Sequence, residues 1–122
     1  MSENSGSKET KSIGQIQIAD EVLAIIAGTA ALETEGVAGM AGHIPGDIAQ
    51  AFGVKNLAKG VKVDVKDGNV TININLVVKF SNKIQSVSEE VQKRVKNAVE
   101  TMTGMNASEI NVSVTGVQKE KS

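Results

Sequence analysis

Gly60 to Phe80 carries the plainest pattern in the chain: Val61, Val63 and Val65 alternate with Lys62, Asp64 and Lys66, the turn formers Asp67, Gly68 and Asn69 follow, and Val70, Ile72, Ile74, Leu76, Val78 and Phe80 resume the alternation. A period of two puts one set of side chains on one face of a strand, so this segment predicts a β-hairpin. The intervening positions, Thr71, Asn73, Asn75, Val77 and Lys79, predict a polar, solvated second face. Shorter alternations predict a strand over Gly14–Ile18 and a last strand through Ile110, Val112 and Val114, ending near Gly116 and Val117.

Two segments repeat with the period of a helix. The first runs from about Glu21 to Glu33, with Asp20 as N-cap and Gly36 as left-handed terminator. The second runs from Ile84 or Val87 to Met102, its apolar stripe being Ile84, Val87, Val91, Val95, Ala98, Val99 and Met102. Ser86 and Glu89 have the spacing of a capping box, and Gly104 is the predicted stop.

The first helix is apolar nearly all round. Val22, Ile25, Ile26 and Leu32 form one stripe, while Leu23, Ala24, Ala27, Gly28, Ala30 and Ala31 leave the opposite side small and apolar. Such a helix is covered on more than one side, either by its own sheet and the loop of the 40s or by a second chain. In the second case Leu23, Ala27, Ala30, Ala31 and Val37 form the self-association surface, because small side chains allow close backbone approach.

Residues 36–60 are glycine-rich, hold the only proline, Pro45, and predict a short strand at Val37–Met40 and helical turns over Asp47–Phe52 closed by Gly53. The resulting order is strand, helix, loop with a short strand, hairpin, helix, strand. This is an α+β domain, a mainly antiparallel sheet with two principal helices packed on one face, whose hairpin–helix–strand unit resembles a split β-α-β arrangement. The domain is placed at 13–118, between a disordered polar leader at 1–12 and a polar tail at 119–122.

Composition narrows the function. The 122 residues suit one domain. The absence of Cys removes disulfides, thiolate metal sites and cysteine nucleophiles, and fits a reducing cytoplasm. The longest apolar stretch, Val22 to Leu32, is broken by Gly28 and Thr29 and is far shorter than the roughly 20 residues of a membrane span. No apolar residue follows Met1 in the leader, which therefore lacks a signal-peptide core.

The formal charge of −1 conceals two unlike halves: Ser12–Val54 has five acids and no Lys or Arg, whereas Lys55–Ser122 carries eleven basic residues and seven acids. Opposite halves favour contact within or between copies. They argue against a nucleic-acid surface, which needs a net basic patch. Lys79, Lys83, Lys93, Arg94 and Lys96 read as a solvated face or as a docking patch for an acidic partner.

No catalytic, cofactor or metal site emerges. His43 is the sole histidine and has no orienting partner in a recognisable nucleophile signature. Glu33, Glu35 and Asp47 match neither zinc nor EF-hand spacing. Gly36, Gly39, Gly42 and Gly46 follow a helix instead of a strand and lack the Gly-Lys-Ser/Thr of a phosphate loop. Gly36-Val37-Ala38-Gly39 also mimics the clamp of KH domains, a remote single-stranded RNA reading, though such loops usually carry basic residues.

The chain resembles the alkaline shock protein family of Gram-positive bacteria. The likeness lies in Gly14-x-Ile16-x-Ile18, Glu21-Val22, Ile26-Ala27, Ala30-Ala31 and Glu35-Gly36-Val37-Ala38, then the Val70–Val78 alternation, Val91-Gln92, Val95, Ala98-Val99, Met102-Thr103-Gly104, Ile110-Asn111-Val112 and Gly116-Val117. Family members commonly show Tyr-Gly where this chain has Phe80-Ser81. The resemblance implies a non-enzymatic, self-associating cytoplasmic protein linked to stress and the cell envelope, in some members through a membrane-anchored partner. Lys59-Gly60-Val61-Lys62-Val63-Asp64 and the compact length look like the branch often encoded beside acetyl-CoA carboxylase subunits, for which tuning of fatty-acid synthesis is the implied role. It implies no cofactor and no catalytic residue.

Overall fold

The computed structural model describes residues 13–40, 58–80 and 83–119. Helix α1 spans Asp20–Leu32, and strand β1 follows at Val37–Met40. Strands β2 (Val61–Lys66) and β3 (Asn69–Lys79) form the hairpin, and helix α2 (Ile84–Thr103) leads to strand β4 (Asn106–Gln118). The leader at 1–12, the turns at Asp47–Phe52 with Gly53, His43, Gly42, Gly46 and residues 120–122 of the tail lie outside the described residues.

β3 is the axis of the sheet. Its turn with β2 consists of Asp67 (φ 53°) and Gly68 (φ 80°), two consecutive left-handed residues whose twist matches that of the strands they join. Odd-numbered residues of β3 direct their backbone groups to one edge, where Asn75 N–H donates to the Gly60 carbonyl at 2.8 Å and Lys79 N–H to the Gly36 carbonyl at 2.8 Å. Both β1 and β2 lie on that edge, antiparallel to β3 and end to end, Met40 pairing with Leu76 and Val61 with Ile74. The other edge belongs to β4, which runs parallel to β3 along its whole length. β3 and β4 are thus direct neighbours joined through α2, so the β-α-β unit is not split.

Both helices cover one face. α1 lies over β2 and β1, α2 lies over β4, and the two helices touch each other. Beneath them Val70, Ile72, Ile74, Leu76 and Val78 of β3 are fully buried, as the alternation predicts, and Val87, Val91, Val95 and Val99 of α2 close over them. Burying each such side chain stabilises by about 1.5–3 kcal/mol relative to leaving it in water. The ends of two predicted apolar series fall outside the core: Phe80 is 62% exposed just past β3, and Ile84 and Met102 at the ends of α2 are 46% and 69% exposed.

Four local expectations are corrected. Gly14–Ile18 is not a strand: it pairs with none of the described strands, and Ile16 stands 93% exposed. Ala19, not Asp20, caps α1, through its carbonyl to the N–H of Val22 and Leu23 at 3.0 and 3.2 Å. Lys83 caps α2 without a side-chain bond, so Ser86 and Glu89 form no capping box. α1 ends at Glu33, before Gly36, and buried Thr34 fastens this turn by donating its hydroxyl to the Ala30 carbonyl at 3.0 Å. Gly36 (φ 98°) then steers the chain into β1, whereas Gly104 (φ 76°) ends α2 as predicted.

Candidate interaction surfaces

The five residues expected to mediate self-association lie inside the chain's own core. Leu23, Ala27 and Ala31 are fully buried, and Ala30 and Val37 are 8% and 6% exposed, all in one cluster with β3 and α2. The arc of α1 carrying the small residues is the one turned inward. The larger Val22, Ile25 and Leu32 are left half-covered or exposed. Small side chains here permit close approach between layers of one molecule, and these five positions offer no surface in the folded chain.

The five basic positions are spread over the end of β3, the start of α2 and the circumference of α2. Lys79 ends β3 and Lys83 precedes α2. At 100° per residue, Lys93 points directly away from the buried valine stripe of α2, while Arg94 and Lys96 fall on its opposite flanks. Arg94 Nε is 3.1 Å from Glu90 Oε2, both side chains about half exposed, a pairing of modest strength. Lys96 is engaged on the β4 side.

That engagement belongs to a row of contacts between α2 and the outer edge of β4. Gln92 Nε2 donates to the Ile110 carbonyl at 2.9 Å, and Lys96 Nζ donates to the Ala107 carbonyl at 3.1 Å and to Glu100 Oε2 at 3.0 Å. Glu100 Oε2 also accepts the Ala107 N–H at 3.1 Å. Hydrogen bonding from Lys96, then from the Ala107 amide, holds the Glu100 carboxyl below the ordinary carboxylate range. Residues 92, 96 and 100 repeat every four positions, so one flank of α2 reads along the strand.

β4 itself carries two irregularities. Ser108 and Thr115 are the extra residues of its register with β3. Their hydroxyls donate to the Val70 and Leu76 carbonyls at 3.3 and 3.4 Å, partners for two groups that face β4. Elsewhere Asn106 Nδ2 reaches Asn69 Oδ1 at 2.8 Å and Asn111 Nδ2 reaches Asn73 Oδ1 at 3.0 Å, giving the helix-free face a ladder of paired amides.

The alternation fixes which backbone groups of β4 remain open. Phe80 N–H donates to the Gln118 carbonyl at 2.9 Å, so Gln118 faces β3 and its neighbour Val117 faces outward. Counting on from the outward Ile110, Val112 and Val114 also face outward. Among the described residues, the N–H and C=O groups of Val112, Val114 and Val117 have no partner. At the other end of the sheet an open recess of about 470 Å³ is lined by Ile16, Gln17, Ile18, Val65, Thr103 and Met105. Among the described residues there is no cluster of three or more His, Asp or Glu able to hold a metal ion, and no helix long and apolar enough to cross a membrane.

Neither the capping row nor the open edge is evident before the topology is known. Their sequence signal is only the i, i+4 spacing of Lys96 and Glu100 and the uncharged run Asn111–Gln118.

Comparison with known proteins places this geometry in a lineage. The pattern defining the alkaline shock protein 23 family, described as of cell envelope-related function, matches residues 8–119. The uncharacterized protein YqhY of Bacillus subtilis is 39% identical over 110 residues, covering 90% of this chain and 82% of that protein. A protein of Streptococcus pyogenes named as a stress response regulator gls24 homolog is 23% identical over 106 residues, 86% of this chain and 59% of that one. Among solved structures, a triply substituted MamM CTD has a similar fold, with a TM-score of 0.50, 16% identity, and coverage of 79% of this chain and 93% of that one.

Proposed function

The chain belongs to the alkaline shock protein 23 family, whose function is cell envelope-related, and on that premise we propose that it is a non-enzymatic protein of envelope stress acting through contacts with other proteins, its own copies included. The observation that carries this reading is the extent of the match, residues 8–119, which takes in every described helix and strand. The stress response regulator named among its relatives supports the stress link. In this reading none of the described helices crosses a membrane, and the protein reaches the envelope through a membrane-anchored partner.

The test is retention of partners. The purified protein, immobilised, is offered the soluble and membrane fractions of a gentle lysate of its own organism. Stoichiometric recovery of a membrane protein from the membrane fraction is the expected result. Recovery of acetyl-CoA carboxylase subunits from the soluble fraction, with nothing from the membrane, overturns the envelope reading in favour of a metabolic regulator.

A further inference from the structure

We infer that the open half of the β4 edge, Val112 to Val117, is the surface on which a second copy of this chain docks, strand to strand and antiparallel about a two-fold axis. The inference rests on the self-contact in the reading above and supplies its location.

An edge strand invites pairing with any extended chain, and folded proteins usually blunt it with charge, proline, bulges or a covering element. This sheet does so along β2 and along the first half of β4. β2 carries Lys62, Asp64 and Lys66 in alternation along its edge. The first half of β4 is closed by Gln92, Lys96 and Glu100 from α2. From Asn111 to Gln118 the strand has no Lys, Arg, Asp, Glu or Pro, and its outward backbone groups have no partner among the described residues. The one blunting device left there is the irregularity at Thr115.

What fits such an edge is another strand, because only a strand repeats donors and acceptors at the spacing of Val112 and Val114. The charges select a second copy and the antiparallel sense. Glu109 stands before the neutral run and Lys119 after it. Antiparallel self-pairing sets the acidic end of each copy beside the basic end of the other, whereas a parallel arrangement sets like beside like. With Val112 opposite the partner's Val114, Ser113 lies on the axis opposite its own symmetry mate. Each Val112–Val114 pair then exchanges two backbone hydrogen bonds, and the irregularity at Thr115 brings Val117 into register with Ile110 of the partner subunit. The two sheets become continuous, with all four α1 and α2 helices on one side.

Sedimentation from low micromolar to near-millimolar concentration tests this on the full chain. The wild type is expected to reach twice the mass of one chain. Val114→Pro removes an outward donor without touching the β3 ladder, and is expected to weaken the dimer at least about tenfold, since symmetry deletes two bonds. Ser113→Lys, on the polar face, sets two cations together at the axis and is expected to weaken it likewise, with an unchanged circular dichroism spectrum showing that it folds. A wild type that stays monomeric overturns both the edge pairing and the self-contact. A dimer that both variants leave intact overturns the edge pairing alone and moves the self-contact to another surface.

Discussion

Glu100 of α2 accepts the backbone N–H of Ala107 of β4 at 3.1 Å, so a helix carboxylate occupies a place that a neighbouring strand's carbonyl would otherwise take. Lys96 completes the arrangement by donating to the Ala107 carbonyl at 3.1 Å. One residue of the edge therefore has both of its outward groups satisfied by the helix above it.

This arrangement makes stability depend on pH. The Glu100 carboxyl titrates below its ordinary value of 4.5 in the folded chain. Its contribution is complete above that value and is lost as pH falls through the depressed native one. The urea midpoint of the wild type is expected to exceed that of Glu100→Ala at pH 7, and the gap to close in strong acid. A gap of constant size across that range counts against the ionised carboxylate as its source.

The core position of α1 predicts that charge there unfolds the chain instead of dissociating it. Leu23 is fully buried, as is Leu76 of β3 in the same core cluster. Leu76→Ala is expected to cost about 2–5 kcal/mol, and Leu23→Asp to abolish a cooperative thermal transition at every protein concentration. Met102→Ala, at a site 69% exposed, is expected to change stability by less than about 0.5 kcal/mol.

Two glycines are expected to respond in opposite directions to alanine. At Gly104 (φ 76°) an added Cβ meets nothing within 4 Å, so the whole cost is backbone strain of about 1–2 kcal/mol. At Gly116 the added atom meets Val77 Cγ2 at 3.5 Å, an ordinary contact, and φ lies outside the left-handed region. Gly116→Ala is expected to be neutral or to stabilise by up to about 1 kcal/mol through the unfolded chain. Chemical denaturation of the two variants beside the wild type decides both.

Lys93→Glu with Arg94→Glu removes the exposed Arg94–Glu90 pair, for which about 0.3–0.5 kcal/mol is typical. The double variant is therefore expected to fold and melt close to the wild type, although two charge reversals add some repulsion from Glu89 and Glu90. Any loss of partner retention in it then reports on docking by these positions and not on folding.

The hairpin and α2 are legible in the sequence because each pattern runs long enough to average out exceptions, five alternating apolar positions in β3 and four valines in α2. β4 is only half legible. The irregularities at Ser108 and Thr115 each break the period of two, so the alternation visible at Ile110, Val112 and Val114 spans less than half of the strand. For α1 the helix is legible and its orientation is not, since an arc of alanines and an arc of larger apolar residues both read as apolar. Contact with both the sheet and α2 selects the smaller arc. The candidate surface is the least legible part: neutrality at Asn111–Gln118 acquires meaning only when topology leaves that strand at an edge.

The collinear β1 and β2 amount to one strand interrupted between Met40 and Val61. Met40 pairs with Leu76, and the Gly60 carbonyl accepts from Asn75, so these two points of the chain stand beside consecutive residues of β3. The sheet consequently imposes no span on whatever the chain does in between. Lengthening the connection between the two points costs only a logarithmic increment of closure entropy, about 0.6 kcal/mol for a doubling. This is the place where relatives can diverge in length, or where a reporter domain can be inserted, with the strands on either side unaware of it.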